Sequence, residues 1–144
     1  MTKLSLAALV VTVAAASSIA TVVAQKQIQK STVFEWSTAG TKPNEWGAVR
    51  QVVRSPTPTL DELEIHISTL KPGLSSHAPH QHVNEELLIV KDGTLDTSQN
   101  GVIRRVGAGG IIFHSSNDMH NVTNVGTTPS TYYVVNWKVP GQSK

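Results

Sequence analysis

Short segments with the alternation of a β-strand recur about every eight to twelve residues, and they constrain the fold more than any other feature. Between them stand turn signals such as Lys71-Pro72-Gly73, Asp92-Gly93 and Asn100-Gly101. Asp-Gly and Asn-Gly favour two-residue hairpins because both residues tolerate positive φ. Helical periodicity is almost absent after residue 24, so the pattern predicts an all-β chain of about ten short strands.

Two segments indicate how the strands pack. Along residues 62–69, apolar Leu63, Ile65 and Ile67 alternate with polar Glu64 and His66, which predicts a strand with one face in water. Residues 130–139 are apolar on both faces, as expected of a central strand. Because exposed strand edges invite association, many short strands without a helix imply a sandwich or a barrel.

The first 24 residues have the three-part layout of a secretory signal peptide. Lys3 provides a basic start, an almost wholly apolar run follows from Leu4 to Ala16, and the residues up to Ala24 are small. We expect cleavage after Ala24, with an uncleaved membrane anchor as the alternative. The expected product is secreted or periplasmic and has no stable membrane association. It would consist of an N-terminal arm at residues 25–45 and a β-barrel domain at residues 46–144.

Composition excludes several kinds of site. The chain has no cysteine, so thiol chemistry, disulfides and zinc knuckles are excluded, and a metal would need nitrogen and oxygen ligands. The net charge is only +2, and no basic stripe with interleaved aromatic residues is present, so nucleic-acid binding is not expected. The remaining candidates are sites for small molecules and metals.

The densest group of chemically active residues is His80-Gln81-His82-Val83-Asn84-Glu85-Glu86. Side chains on a strand alternate between faces, so His80, His82 and Glu86 would project from one face toward one point. Burying these groups together without a cation would cost several kcal/mol, roughly. The spacing therefore predicts a divalent metal site in which these three residues are ligands.

The other histidines carry weaker signals. His66 is placed on the solvated face of its strand and is interpreted as a surface residue. His77, in the loop before the cluster, is interpreted as solvated, with a place at the mouth of the site as the alternative. His114 ends a predicted strand, and a pocket position is one of its alternatives. Parity alone does not choose between His114 and His120 as a further ligand.

The spacing of the cluster resembles the first motif of the cupins, which is Gly, a short spacer, His-x-His, three or four residues, Glu, six residues and Gly. This chain has Gly73, six residues, His80-Gln81-His82, three residues, Glu86, six residues and Gly93. The first spacer is one residue longer than is usual. The combined spacing is far more specific than a bare His-x-His.

The second cupin motif, Gly, five residues, Pro-x-Gly, two residues, His, three residues and Asn, is matched with two substitutions. Gly109, His120 and Asn124 stand at the expected distances, whereas Ser115 replaces Pro and Asn117 replaces Gly. Asn tolerates left-handed backbone better than most residues, so its substitution is physically mild. The resemblance extends over about residues 60–138.

The resemblance implies a cupin-type jelly-roll β-barrel with one divalent ion, Fe, Mn, Zn, Cu or Ni, held by His80, His82, Glu86 and His120. It implies a small-molecule substrate or ligand, and it favours a homodimer. We interpret the protein as a dioxygenase-like oxidoreductase acting on an enolic, catecholic or carboxylate molecule, with Glu86 as a candidate catalytic base. The alternatives are an isomerase and a non-catalytic binding module. The apolar stretch Val33–Trp36 of the arm is interpreted as a short edge strand, in its own sheet or in that of a second subunit.

Overall fold

The computed structural model describes residues 27–35 and 40–142. This part of the chain contains nine strands and no helix, which confirms the predicted all-β class. The strands are β1 (Lys42–Asn44), β2 (Gly47–Ser55), β3 (Glu62–Leu70), β4 (Glu85–Asp92), β5 (Thr94–Gln99), β6 (Val102–Gly107), β7 (Ile111–His114), β8 (His120–Asn124) and β9 (Ser130–Lys138).

The strands form two antiparallel sheets. The larger sheet has six strands in the order β1-β2-β3-β9-β4-β7, and the smaller one has the order β6-β5-β8. Strand β9 lies between β3 and β4, which confirms the central position predicted from its two apolar faces. The buried core is built by apolar side chains from both sheets: Leu70, Leu88, Val90, Leu95, Ile112, Val122, Tyr132 and Val134. Burial of each aliphatic side chain in this core stabilises the fold by roughly 1.5–3 kcal/mol.

The predicted turns differ in outcome. Asn100-Gly101 connects β5 to β6 as predicted, with φ of 49° and 85° at the two residues and Gln99 paired with Val102. Asp92-Gly93 is not a hairpin, because β4 belongs to the larger sheet and β5 to the smaller one. Gly93 has φ of 88° and lies so close to Ser130 that a Cβ would overlap its side chain. The chain thus changes sheets where only glycine fits.

The solvent-facing side of β3 was predicted wrongly. Ser68 and Leu70 are 3% and 0% exposed and point into the barrel, on the same face as His66. The alternating apolar residues lie on the outer face, where Ile65 pairs with Val53 and Val135. Both faces of β3 are therefore covered, and the alternation alone could not tell which one faces the interior.

The N-terminal arm contacts the barrel, but its described residues do not add the predicted edge strand to a sheet. Residues 27–35 contain no strand, so the edge strand expected at Val33–Trp36 is absent up to residue 35, and Trp36 is not among the described residues. The backbone N–H of Gln29 donates to the carbonyl of Pro56 at 2.7 Å. The predicted signal segment, residues 1–24, also lies outside the described residues. Within the described ranges, no helix is long and apolar enough to cross a bilayer.

Candidate metal centre

An irregular segment before β4 carries two of the predicted ligands. His80 and His82 do not lie on a continuous strand with Glu86, which is the second residue of β4. His80 instead forms an isolated bridge with His120, in which the two backbone N–H groups donate to the opposite carbonyls at 3.0 and 2.8 Å. This bridge holds the segment against the start of β8. The parity argument therefore assumed a continuous strand that the backbone does not form, and this bridge brings His80 close to His120 instead.

Glu86 reaches the same place through the larger sheet. In the register of that sheet, Glu86 is the partner of His114 on β7 and of Asn136 on β9. Its carboxylate oxygens lie 3.7 Å from His82 Nε2 and 3.7 Å from His120 Nε2. Two ligands of one ion at about 2.1 Å each are at most about 4.2 Å apart, so both separations suit a shared ion.

The hydrogen bonds of the three predicted histidine ligands fix their tautomers. In each ring Nδ1 faces a backbone carbonyl: His120 O at 3.2 Å from His80, Asn84 O at 3.0 Å from His82, and Asp118 O at 2.7 Å from His120. A carbonyl only accepts, so Nδ1 donates, and in a neutral ring Nε2 keeps its lone pair. This is the arrangement that orients imidazoles as metal ligands.

The three imidazoles each bring one ring nitrogen to the same place. One ligand atom from each of His80, His82 and His120 lies within 4.8 Å of the others. His120 Nε2 is buried and has no hydrogen-bond partner. An unsatisfied buried polar atom costs about 1–3 kcal/mol, and a cation would relieve that cost. The donor set therefore fits a divalent ion.

The pKa shifts of the clustered side chains favour the protonation states that bind a cation. Burial would raise the pKa of Glu86, but the hydrogen bond from His114 and the neighbouring His82 outweigh burial and hold that pKa well below its ordinary value. Burial lowers the pKa of His120 to about 4, and burial also lowers the pKa of His80. The carboxylate of Glu86 raises the pKa of His82. At neutral pH, Glu86 is thus ionised, and His80 and His120 are neutral.

His114 is a buried residue that contacts the proposed ligand Glu86. It is 1% exposed, and its Nδ1 lies 3.1 Å from Glu86 Oε1. Asn136 Nδ2 donates to the other oxygen of Glu86 at 3.4 Å. Of the positions left open for His114 by the sequence, the structure selects the pocket. Its contact with Glu86 depends on the register of β4 and β7, for which the sequence carries no local signal.

A cavity of about 190 Å³ adjoins the cluster. The residues that line it include Glu86, His120, Ser68, Ser76 and Tyr132. Burial raises the pKa of Tyr132, so its hydroxyl is neutral at physiological pH, and Ser68 and Ser76 lie beside it. No lysine or arginine is among the described residues that line this cavity.

Two further histidines line the cavity. His77, which is exposed, faces His80 with ring centroids 4.0 Å apart, in agreement with the alternative of a place at the mouth. His66, interpreted as a surface residue from the sequence, also lines the cavity, because the inner face of β3 is the one that carries it. Tyr133 alternates with Tyr132 along β9 and is not among the lining residues. A larger open groove of about 870 Å³ beside residues 27–34 shares no residue with this cavity and contains no histidine.

Known proteins are similar to this chain in fold. Residues 66–136 match the sequence model of a cupin domain, whereas no curated protein sequence matches the chain. An RmlC-like cupin from Shewanella frigidimarina NCIMB 400 is 16% identical, with 79% of this chain and 97% of that chain covered and a TM-score of 0.62. A predicted oxalate decarboxylase from Thermotoga maritima is 19% identical, with coverages of 75% and 100% and a TM-score of 0.60.

A third structure, a sugar phosphate isomerase from Silicibacter pomeroyi, is 15% identical, with coverages of 76% and 77% and a TM-score of 0.59. At such identities the likeness concerns the fold alone. It confirms the jelly-roll β-barrel that the motif spacing implied.

Proposed function

Because the chain carries a small cupin-superfamily domain, we propose that it is a metal-dependent enzyme acting on a small, oxygen-rich molecule in the cavity beside His120. The observation that carries this proposal is the set of three imidazoles whose Nδ1 atoms are bound to carbonyls, with His120 Nε2 buried and unpartnered. A structural cluster of polar residues would have satisfied that atom.

The proposed metal ligands are His80, His82, Glu86 and His120. Three neutral imidazoles and one carboxylate around a divalent ion leave a net charge of about +1, which favours an anionic or enolisable oxygen ligand. When bound, such an ion supplies Lewis-acid stabilisation of negative charge on a substrate oxygen. Nitrogen and carboxylate ligands suit Fe, Mn, Zn, Cu and Ni alike, so elemental analysis of protein from its native compartment identifies the metal.

The size of the cavity and the absence of basic side chains among its described lining residues limit the range of possible substrates. A volume of about 190 Å³ is below the range of roughly 300–1,000 Å³ typical of pockets for drug-sized ligands. A flavonol is therefore a poor candidate, and a small enol, catechol or carboxylate is a better one. A phosphate ester would have no arginine or lysine partner among the described lining residues. We therefore expect an unphosphorylated substrate, unlike that named for the isomerase from Silicibacter pomeroyi.

Two residues that line the cavity favour a proton-transfer reaction. The low pKa of Glu86 makes it a weak base, so a binding role suits it better than the catalytic role considered from the sequence. His66 and Tyr132 line the cavity and are not ligands. We assign His66 as the group that takes a proton from a carbon next to a carbonyl, while the C–H electron pair moves to the carbonyl oxygen. Tyr132 donates a hydrogen bond, and return of the proton to another carbon gives an isomerase.

A dioxygenase is the second candidate. The donor set of three imidazoles and one carboxylate favours it, because related nitrogen and carboxylate sets with open positions serve non-haem iron oxygenases. In this case the proton taken by His66 is not returned to carbon, and dioxygen is consumed as co-substrate.

One assay separates these candidates. Metal-loaded protein is incubated in D₂O with a panel of small β-diketones, catechols and hydroxy or keto acids, while dioxygen uptake and deuterium incorporation are followed. Deuterium in substrate or product without dioxygen uptake supports the isomerase, and uptake with an oxygenated product supports the dioxygenase. Neither signal with any compound that binds would mean a non-catalytic binding module and would overturn the enzyme proposal.

Matched variants test the roles of the two cavity residues. His66→Gln keeps side-chain hydrogen bonding but removes the base, and it should lower kcat by about 10²–10⁴-fold with metal still bound. Tyr132→Phe removes only the hydroxyl and should lower kcat less. Activity of His66→Gln equal to that of the unchanged protein would contradict the assignment.

We also propose export, on the basis of the layout of residues 1–24. The amino-terminal residue of protein recovered outside the cytoplasm is measured by mass spectrometry. We expect the chain to begin at Gln25, whereas an intact Met1 would contradict cleavage.

A further inference from the structure

His114 is the most enclosed titratable residue near the proposed metal ligands, and it is not one of them. It ends β7, is 1% exposed and has both ring nitrogens within hydrogen-bond distance of protein partners. Nδ1 lies 3.1 Å from Glu86 Oε1, and Nε2 lies 3.1 Å from Thr97 Oγ1. Thr97 is 2% exposed, so water does not compete strongly for either bond.

The direction of these hydrogen bonds follows from their acceptors. An ionised carboxylate has no proton to give, so His114 Nδ1 donates to Glu86. The other nitrogen, Nε2, lies within hydrogen-bond distance of the hydroxyl of Thr97, which can donate or accept. The resulting chain of hydrogen bonds runs from Thr97 through His114 to Glu86.

The same ring also contacts a second proposed ligand. His114 and His120 are stacked with ring centroids 4.1 Å apart and an interplanar angle of 22°. Glu86 is held from its other side by Asn136. Both the carboxylate and the imidazole of the site are therefore oriented by contacts with one buried side chain.

We propose that His114, held at Nε2 by Thr97, is a positioning residue that orients the Glu86 carboxylate and the His120 ring for metal binding. The proposal rests on the metal site of the proposed function. Direct ligation is the competing role, since Glu86, His114 and His120 also lie close enough for it. However, both nitrogens of His114 are used by protein partners, whereas the three proposed histidine ligands each use only Nδ1 in a hydrogen bond.

The test compares two substitutions of His114. His114→Phe keeps an aromatic ring against His120 but removes the donor to Glu86, and His114→Asn keeps an N–H donor near the position of Nδ1. Zinc affinity is measured by competition with a chelator, and zinc content is measured at saturation. We expect one ion per chain in both variants, a dissociation constant raised about 10–100-fold in His114→Phe, and substantial recovery in His114→Asn.

A second pair of substitutions removes or keeps the contact at Nε2 and leaves the His114 ring unchanged. Thr97→Val removes the hydroxyl at nearly constant volume, and Thr97→Ser retains it. In nitrogen-15 spectra of the metal-free protein, we expect the proton of His114 on Nδ1 in the unchanged chain and in Thr97→Ser. In Thr97→Val we expect the proton to stay on Nδ1, because the Glu86 carboxylate only accepts, and the dissociation constant to rise by up to about tenfold, because the ring loses one of its two anchors. This pair keeps the proposal falsifiable if His114→Phe fails to fold.

The outcomes are separable. If the unchanged protein binds no metal, the proposed function fails, and the spectrum alone decides the hydrogen-bond chain. If it binds zinc and both His114→Phe and Thr97→Val bind it equally well, the positioning role is overturned. Complete loss of zinc from a folded His114→Phe, even at saturating concentration, would instead make His114 a ligand and would also overturn the proposal.

Discussion

The two ends of β8 each bury a polar residue, and their environments are opposite. His120 begins the strand at 1% exposure, and Asn124 ends it at 0%. Both point into the barrel, about 13 Å apart along the strand. We refer to the surroundings of His120 as the site end and to those of Asn124 as the closed end.

At the closed end every hydrogen-bonding position is used. Asn124 Nδ2 donates to the carbonyls of Leu70 and Thr128 at 2.9 and 2.8 Å. Its Oδ1 accepts from Ser130 Oγ and from the backbone N–H of Gly126, both at 2.9 Å. At the site end, by contrast, His120 Nε2 has no partner.

This difference suggests different roles for Asn124 and His120, although both belong to one motif. The second cupin motif contains both residues, and its spacing does not say which role each one has. A fully bonded buried amide stabilises the barrel, whereas an unpartnered buried nitrogen beside a cavity is available to a ligand. We therefore expect substitutions at the two ends to have separable effects.

The largest effect is expected from removing two histidines of the site end. His80→Ala with His82→Ala should reduce bound metal from one ion per chain to none, because two of four proposed ligands are lost. The far-UV circular dichroism should keep its strand signal, since neither side chain belongs to the core. Full metal retention by elemental analysis would refute the ligand assignment.

At the closed end, Asn124→Ala should lower the free energy of unfolding by about 3 kcal/mol, because several buried groups lose their partners. Chemical denaturation measures this change, and Asn121→Ala, on the half-buried face of β8, is the control with an expected change within about 0.5 kcal/mol. Zinc affinity of the folded fraction should not change. A weaker zinc affinity in Asn124→Ala would show that the two ends are coupled.

Gly93→Ala tests the close approach that supports the closed end. Its Cβ would overlap Ser130, which bonds Asn124, so we expect about 2–3 kcal/mol of destabilisation. Gly101 has a similar φ of 85°, but an added Cβ would meet nothing within 4 Å. Gly101→Ala should therefore cost only about 1–2 kcal/mol, from backbone strain. Equal losses in the two variants would contradict the steric explanation.

The smallest expected effect is a pH dependence that belongs to the site end. Burial lowers the pKa of His120 to about 4, whereas the unfolded chain protonates this residue below about pH 6.5. Between these values the unfolded state binds more protons, so stability of the metal-free protein should fall as pH decreases from 6.5 to 4. We expect a loss on the order of 1 kcal/mol, discounted because water reaches the cavity.

Denaturation of the chelator-treated protein across this range measures that slope. The raised pKa of His82 contributes in the opposite sense and only above about pH 6.5, where its stabilisation is lost as pH rises. His120→Gln should flatten the slope below pH 6.5. An unchanged slope in this variant would assign the pH dependence to other groups.

Part of the site could be predicted from local sequence, and part could not. His80, His82 and Glu86 were found because they are dense and correctly spaced, although the first two are held by a bridge to His120 rather than by a regular strand. The motif resemblance was needed for His120. His66 was missed because its strand is covered on both faces, and the contact of His114 with Glu86 joins residues 28 positions apart.

By itself, the sequence determined the features that depend on neighbouring residues. Alternation determined the strands, Asn100-Gly101 determined a hairpin through its positive φ, and the two apolar faces of residues 130–139 determined a central position for β9. Only the tertiary structure decided that Gly93 turns the chain from one sheet into the other, which face of β3 is internal, and that His120 Nε2 stays unpartnered while Asn124 is fully bonded. The physical reason is that local periodicity and turn chemistry are properties of adjacent residues, whereas burial and hydrogen-bond satisfaction depend on which distant strands close over them.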